Sequence, residues 1–411
     1  MVFLVWGICL ASIVLMLLRP KRIAEYVWVC GGALLLVVTG LLPWRNAIQA
    51  VYEGLDVYLF LTGMMLLAEM ARYEGVFDWV AGIAVQHADR SAKRLFLLMY
   101  LAGTVVTVLL SNDATAVVLT PAVLAAVRRA RVEPRPYLLS CAFIANAASF
   151  VLPISNPANL VVFGKKLPAL LPWLRMFLLP SIVSILVTYC ILRIIEKKDL
   201  QEQVAPLTQR MELSGGGRMT LACICIAGLA LLMASGFGRP LGAPTCAVGG
   251  LALGLLALRD RKAPATIVKS VSWSVLLLVA GLFTIVEALN QAGMLSMTQR
   301  GLNWLMQLPD GWGKLVAGSS VALLSNIMNN LPVGLASGTA LQQLRSPGML
   351  IHAALIGIDL GPNLSVTGSL ATILWLIALR REKVEITPGQ FLKAGALLMP
   401  VSLLLSLLVL R

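Results

Sequence analysis

Apolar stretches of about 17 to 22 residues recur along the whole chain, and each is long enough to cross the hydrocarbon core of a bilayer as a helix. Apolar residues make up 59% of the 411 residues and charged residues only 13%, a composition outside the range of soluble globular domains. The chain is therefore predicted to be an all-α integral membrane protein that has the bilayer as its solvent.

The formal net charge of +14 would indicate nucleic-acid binding in a soluble protein. Here, however, Lys and Arg gather in short connections between the apolar runs, which is a topology signal, so no nucleic-acid partner is expected. Six such connections are predicted to be cytoplasmic, with both termini outside: Arg19/Lys21/Arg22, Arg90/Lys93/Arg94, Arg128/Arg129/Arg131/Arg135, Lys197/Lys198, Arg259/Arg261/Lys262 and Arg380/Arg381/Lys383.

The apolar runs form two similar sets, which predict two repeats, 1–195 and 219–411, joined by a flexible cytoplasmic linker, 196–218. Three residues recur in the second set at one constant offset: Gly63/Gly281, Glu69/Glu287 and Gly75/Gly293. The runs lie at 2–18, 26–43, 55–71, 95–130, 137–164 and 175–195, and again at 219–236, 242–258, 272–290, 313–345, 349–379 and 389–410. The stretches 76–90 and 294–308 are predicted to be amphipathic helices in the interface.

Both flanks of the run 95–130 are basic, so it is predicted to be a re-entrant hairpin that returns to the cytoplasmic face. The run 313–345 is its counterpart, while 137–164 and 349–379 contain breaks and are predicted to be interrupted crossing helices. Each repeat then has five crossings, one of them broken, and one hairpin. This odd number of crossings inverts the second repeat relative to the first, as in many secondary transporters.

Polar residues and helix breakers interrupt the hairpins and the broken helices at the depth where hydrocarbon would otherwise lie. Such residues are tolerated only against protein or a wet cavity, so they are predicted to form a substrate pocket halfway through the bilayer, although Ser, Thr and Asn also join helices structurally. The candidate residues are Ser111, Asn112, Asp113, Asn146, Ser155, Asn156, Asn159, Ser325, Asn326, Asn329, Asn330, Asp359, Thr367, Gly368 and Ser369.

The motifs that carry these residues resemble a known family. LLSNDATAVVLTP (109–121), LLSNIMNNLPVG (323–334) and IGIDLGPNLSVTGSLATILWL (356–376) are similar to the ArsB-type arsenite/antimonite efflux permeases of the ion transporter superfamily. The carboxylate carriers of that superfamily would be expected to show Ser-Asn-Thr at both hairpin tips, where this chain has Asp113 and Ile327. Its Asn146 also departs from ArsB members that have Asp there.

The resemblance implies the ion transporter fold and export of arsenite, with antimonite as a second substrate, by proton antiport and alternating access in a bacterial inner membrane. It leaves open a soluble ATPase partner, a homodimer, and coupling to sodium or transport of another small solute or anion. A passive channel is the rival from another class. No cofactor or resident metal is implied, and the chain lacks the motifs of an ATPase, a serine hydrolase or a zinc protease, so it is not expected to be an enzyme.

Intramembrane carboxylates are functional candidates because ionisation there is costly. Asp113 and Asp359 are predicted to carry the coupling proton, whereas Glu69 and Glu287 lie near the predicted interface, where a solvated or capping role is as plausible as coupling. Arsenic(III) is thiophilic, but thiolate capture would slow its release. The seven scattered cysteines, Cys141 and Cys223/Cys225 among them, are therefore expected to be small apolar residues and not ligands.

Overall fold

The computed structural model describes residues 1–20, 23–205, 211–309, 311–344 and 348–411, and within these ranges the regular elements are helices. The helices of the first half are α1 (Val2–Leu18), α2 (Glu25–Val38), α3 (Trp44–Glu53), α4 (Leu55–Tyr73), α5 (Val76–Gln86), α6 (Ala92–Leu109), α7 (Thr120–Arg129), α8 (Arg135–Ala147), α9 (Pro157–Phe163) and α10 (Leu170–Ile195). Those of the second half are α11 (Gly215–Gly236), α12 (Gly242–Arg259), α13 (Ala263–Ser270), α14 (Ser274–Gln291), α15 (Met294–Met306), α16 (Trp312–Met328), α17 (Asn330–Gln342), α18 (Gly348–Leu360), α19 (Leu370–Arg381) and α20 (Pro388–Leu408).

The predicted apolar runs coincide with these helices to within a few residues. Six helical segments of the described ranges are long and apolar enough to cross a membrane, or seven if α3 and α4, which meet at a bend of 46°, form one span. The run 2–18 and the stretch 76–90 correspond to α1 and α5. The sequence did not predict α3 or α13 as separate helices. The linker and the first basic connection are only partly described, because 206–210 and 21–22 lie outside the described residues.

The helices α6 and α7 form the first hairpin. The backbone N–H of Val204 donates to Arg90 O at 3.0 Å, and the N–H of Ala205 donates to Ala130 O at 2.9 Å. Two consecutive residues thus hold the beginning and the end of the hairpin together, so α7 returns to the side from which α6 starts. The turn lies at Leu110 and Ser111 and is followed by a π-helix, Ala114–Leu119.

The helices α16 and α17 form the second hairpin, whose ends meet different partners. Lys314 Nζ donates to Leu410 O at 2.6 Å, just after α20, and Gln342 Nε2 donates to Val162 O at 2.6 Å, at the end of α9. The Lys166 ammonium in turn donates to Gln342 O at 3.0 Å. Both ends of this hairpin therefore lie on the side of the bundle that carries residues 162–166 and the C-terminus.

The two hairpins open towards opposite ends of the bundle. The 26 residues of α10 separate Lys166, beside the second hairpin, from the segment after Ile195 that holds the first hairpin. A helix of that length spans about 39 Å, more than the hydrocarbon thickness of a bilayer. The inversion of the second repeat and the division into repeats at 196–218 stay predictions.

Four of the basic connections meet at the end where the first hairpin opens, because Arg90/Lys93/Arg94 begins that hairpin and three others join it there. Arg135 donates to Glu196 Oε2 from Nη2 at 2.8 Å and also lies 3.2 Å from Asp199, while Arg128 donates to Glu382 O at 2.9 Å. Burial of the Glu196 carboxylate raises its pKa, and the hydrogen bond from Arg135 offsets only part of this effect. The buried Glu196 therefore ties the start of α8 to the end of α10.

Close backbone contact joins α4 to α12, where Gly249 faces Gly63. A Cβ atom added at Gly249 would lie 2.8 Å from Gly63 O and 3.0 Å from its Cα, whereas one added at the neighbouring Gly250 would meet nothing within 4 Å. Small residues allow two membrane helices to approach closely, and here the absence of a Cβ at Gly249 leaves room for the Gly63 backbone.

Gly249→Val is accordingly expected to destabilise the folded protein by about 1–3 kcal/mol, because the added methyl groups must push two helix backbones apart. Thermal unfolding of the purified protein in detergent measures the effect. Gly250→Val is the matched control and should unfold at the wild-type temperature. Equal unfolding temperatures for both variants would show that this contact does not hold the helices together.

Candidate functional site

A small cavity of about 20 Å³ lies where the two hairpin tips meet the two broken helices. Its polar lining consists of Asn112 and Asp113 from the first tip, Asn330 from the second, and Asn156 and Ser369 from the breaks. We call this space the tip cavity. Its apolar walls are formed by Leu61, Pro157, Val275, Val279, Leu331, Leu370 and Ala371.

In the first tip, two side chains accept hydrogen bonds from the tip's own backbone, and one carboxylate has no partner within the described part of the chain. Ser111 Oγ accepts from the Ala114 N–H at 3.1 Å, and Asn112 Oδ1 accepts from the Asp113 N–H at 2.9 Å. Among the described residues, no hydrogen bond or ion pair to the Asp113 carboxylate is found, although it lines two cavities. Asp113 is therefore the acid of the tip that remains available to a solute or a proton.

The second tip is built differently from the first. Its helix continues through Ser325 and Asn326, and the break falls three residues later at Asn329, which has φ 74° and whose Oδ1 caps α17 through the Leu331 N–H at 3.3 Å. Ser325 Oγ donates to Val321 O one turn back at 2.9 Å. The equivalent Ser-Asn pairs of the two hairpins thus occupy different local structures.

Asn326 joins the second hairpin to the second broken helix. Its amide nitrogen donates to Ala322 O at 2.8 Å and Gly361 O at 2.9 Å, and its Oδ1 accepts from the Ser365 hydroxyl at 2.7 Å. Thr367 adds a bond from Oγ1 to Asn326 O at 3.0 Å. Asn326 and Thr367, both candidates for substrate contact, therefore use their polar atoms on protein.

The first broken helix restarts at Asn156, while Asn159 and Ser155 shape the loop before it. Asn156 Oδ1 caps α9 through the Ala158 N–H at 3.0 Å. Asn159 Nδ2 donates to Ser149 O at 2.9 Å, and Ser155 Oγ donates to Val108 O at 3.1 Å. Of the three, Asn156 is the one that lines the tip cavity.

The second broken helix restarts at Ser369, whose Oγ accepts from the Ala371 N–H at 3.2 Å and caps α19. Asn156 and Ser369 are therefore equivalent caps, one in each half of the chain. The adjacent Gly368 packs so closely that a Cβ there would lie 2.6 Å from Pro362 Cα. A larger residue at 368 would displace the backbone that carries Ser369.

Side-chain hydrogen bonds connect the broken helices across the centre. Asn156 Nδ2 donates to Asp359 Oδ1 at 2.6 Å, and Asn146 Nδ2 donates to Asn363 Oδ1 at 2.9 Å. Asp359 is fully buried, and its Oδ2 has no partner among the described residues. Asp359 does not line the tip cavity but lies directly behind Asn156, so the two candidate acids differ in their access to a solute.

A second cavity of about 60 Å³, the side cavity, runs from Asp113 along α4 to Glu69. Glu69 accepts from Arg72 Nε at 2.7 Å, and Glu287 accepts from Gln291 Nε2 at 2.7 Å, so each of these glutamates has a partner on its own helix. Ser111 lines the side cavity with Asp113. Asp113 is therefore the candidate acid that lines both the tip cavity and the side cavity.

The described residues that line the tip cavity include no Lys, Arg or His. Within the described part of the chain, no group of three or more His, Cys, Asp or Glu side chains is arranged to hold a metal ion. The cysteines are free thiols, and none of them lines either cavity. The cavity chemistry is thus that of amides, hydroxyls and one carboxylate.

Several residues that organise the site are not among the candidate residues predicted from the sequence. Asn363, Ser365 and Thr372 take part in the bonds to Asn146 and Asn326. All three lie in or next to the polar segment around the second break, so its density of Asn, Ser and Thr was the available signal. Nothing in the sequence marked the apolar wall from α4 and α14, because those residues resemble any membrane-facing side chains.

Comparison with known proteins shows that the sequence is similar to those of membrane transporters. The chain is 27% identical over 410 residues to the arsenical pump membrane protein of Escherichia coli strain K12, covering 95% of this chain and 94% of that protein. It is 24% identical to the putative arsenical pump membrane protein of Bacillus subtilis strain 168, with the same two coverages. These matches confirm the resemblance found in the motifs.

The fold is similar to that of the YdaH transporter of Alcanivorax borkumensis, with a TM-score of 0.58 over 89% of this chain and 87% of that one. The sequence identity is 16%, so this likeness concerns the fold alone. It confirms the predicted all-helical, multi-pass membrane fold. The family model described as "Citrate transporter" matches residues 11–379, most of the chain, and the protein therefore belongs to the CitMHS family.

Proposed function

We propose that this protein exports arsenite, and antimonite as a second substrate, from the cytoplasm by proton antiport. The observation that carries the proposal is the tip cavity, whose polar lining comes from both hairpins and both broken helices and contains no cationic side chain among the described residues. The names of the arsenical pump relatives support the same substrate class.

Arsenite at neutral pH is an uncharged trihydroxide whose O–H groups both donate and accept hydrogen bonds. The amides of Asn112, Asn156 and Asn330 and the hydroxyl of Ser369 can do both as well. The tip cavity has room for about one water molecule in this arrangement, and once opened further it offers a neutral hydroxylated solute these partners without a fixed counter-charge. The buried polar groups of an empty pocket favour a solute that satisfies them over an apolar one.

Citrate is the alternative that the family's description favours. A multiply charged carboxylate in a buried site requires cationic or strongly donating partners, since an unpaired buried charge is costly. Asp113 would instead repel it. The tip residues Asp113 and Ile327 also replace the third residue of the Ser-Asn-Thr pattern expected of carboxylate carriers. A sodium- or proton-coupled carrier of another small neutral solute remains the closer rival.

The coupling of proton movement to substrate export is assigned to Asp113 and Asp359, the two acids near the tip cavity. Asp113 reaches both cavities and has no partner for its carboxylate among the described residues, and Asp359 is bonded through Asn156, which lines the tip cavity. A proton on either acid thus changes the hydrogen bonding offered to the solute, which is the coupling that antiport requires. The hairpins and broken helices of the two inverted repeats move against the remaining helices, in a bacterial inner membrane.

Expression in an arsenic-sensitive bacterial host is expected to lower cellular arsenite and raise resistance, because export opposes passive entry of the neutral solute. Accumulation of arsenite and antimonite is measured in cells and in everted vesicles with an acid interior. Trans-acceleration by unlabelled substrate distinguishes a carrier from a channel, and a sodium gradient tests the other coupling ion. Unchanged arsenite accumulation by protein that is verified in the membrane would refute the proposed substrate.

A further inference from the structure

An apolar crevice of about 470 Å³ lies between α5, α6 and α11 and shares no lining residue with the two cavities of the substrate site. Val80 and Ala84 of α5 form one wall, Leu98 and Ala102 of α6 form another, and Leu221 of α11 contributes to the third. The crevice thus joins one arm of the first hairpin to two helices outside that hairpin.

The crevice is open to the outer surface of the bundle. Leu101 and Val105, which also line it, are 47% and 55% exposed, so it faces the lipid side. Its lining on α6 extends from Leu98 to Leu109, a length of about 16 Å along a helix. That matches one leaflet of the bilayer, which is about half of a 30 Å hydrocarbon core.

Basic side chains lie at one end of this crevice, on two of its walls. Arg94 is one turn before Leu98 on the same face of α6, and Arg218 is three residues before Leu221 on α11. Both arginines are exposed, and His87, at the end of α5, lines the crevice itself. Arg94 pairs with Asp89 in an exposed ion pair, which exchanges easily for a stronger anion.

We propose that this crevice binds an anionic glycerophospholipid of the cytoplasmic leaflet. One acyl chain lies between α5, α6 and α11, and the phosphate lies between Arg94 and Arg218. Basic residues directly above an apolar groove match the order of charge and hydrocarbon in such a lipid. A soluble anion would contact the arginines but not the apolar groove. An uncharged lipid would fill the groove but would not pair with the arginines.

The position of the crevice gives the lipid a structural role. Its inner end is lined by Leu109 and Leu110, immediately before Ser111 of the first tip. An acyl chain there fills the space behind the tip and bridges the hairpin to α5 and α11. Bound lipid therefore stabilises the hairpin in the arrangement seen here, whatever solute the protein carries.

Native mass spectrometry of the detergent-purified full chain, titrated with phosphatidylglycerol or phosphatidylcholine of the same acyl chains, tests this proposal. We expect one phosphatidylglycerol to bind preferentially and to raise the unfolding temperature. Ala102→Phe, which fills the groove, should abolish this binding. Arg94→Gln combined with Arg218→Gln should weaken it on the order of tenfold, since each basic group near an anionic lipid contributes severalfold.

Ala11→Phe, on the exposed surface of α1, and Arg239→Gln, beyond the opposite end of α11, are the matched controls and should bind the lipid as the wild type does. Unchanged phosphatidylglycerol binding by Ala102→Phe would overturn the proposal. Unchanged binding by the double arginine variant, or equal binding of phosphatidylcholine to the wild type, would also overturn it. The arginine variant lies on the surface and keeps the test valid if Ala102→Phe does not fold.

Discussion

Asp113→Asn is expected to abolish arsenite accumulation driven by a pH gradient while leaving substrate exchange intact. Asparagine keeps the size of the side chain and its hydrogen bonding but cannot carry a proton. One pH unit corresponds to a factor of about ten in an equilibrium. With one proton per substrate, two pH units support up to about a hundredfold concentration ratio, which should fall to about one in the variant.

The measurement uses everted vesicles with an acid interior, and counterflow of labelled arsenite reports the exchange that remains. Asp78→Asn, an exposed acid on α5, is the matched control and should accumulate substrate as the wild type does. Asp113 makes no hydrogen bond through its carboxylate within the described residues, so loss of a structural bond would not explain a transport defect. Wild-type accumulation by Asp113→Asn would exclude this acid as the proton carrier.

The second large effect is expected at Asp359, where two substitutions should give different results. Asp359→Asn keeps an oxygen for the 2.6 Å bond from Asn156, so folding should be retained while gradient-driven accumulation falls. Asp359→Ala leaves the buried Asn156 amide without that acceptor, which costs about 1–3 kcal/mol, and should lower both the unfolding temperature and transport. Thermal unfolding in detergent and vesicle uptake separate the two outcomes.

If Asp359 has only a structural role, the results differ. Asp359→Asn then accumulates substrate normally, and only Asp359→Ala loses stability and transport. The double variant Asp113→Asn/Asp359→Asn completes the test. Full gradient-driven accumulation by that protein would mean that neither acid carries the proton. Retention of coupling in one single variant and loss in the other would assign the proton to one acid.

Much of the fold could be predicted because bilayer physics constrains the sequence strongly. The apolar runs predicted helices such as α1 and α12 to within one residue, since a helix satisfies its own backbone in hydrocarbon. Basic flanks on both sides of 95–130 predicted a hairpin, and the bonds from Val204 and Ala205 hold its two ends together. The polar residues and helix breakers at the interruptions predicted where the polar centre of the protein lies.

The candidate site was predicted less completely, because residue type does not reveal which polar atoms are already used. Asn159 and Asn326 look like substrate ligands in the sequence, yet their amides bond to loop and helix carbonyls. Asn112 and Asn330 have the same side chain and line the tip cavity. A polar group inside a membrane protein must find a partner, and only the folded arrangement decides whether that partner is protein or solute.

The sequence alone determined that the chain is a helical membrane protein with two hairpins, two broken helices and polar residues at each break. Hydrophobic length, basic flanks and helix breakers act locally, so they can be read from neighbouring residues. The tertiary structure decided that Asp113 lines the cavities while Asp359 lies behind Asn156, and that the second tip turns at Asn329. These features depend on contacts between residues some 200 positions apart, such as Asn156 and Asp359, whose geometry no local pattern encodes.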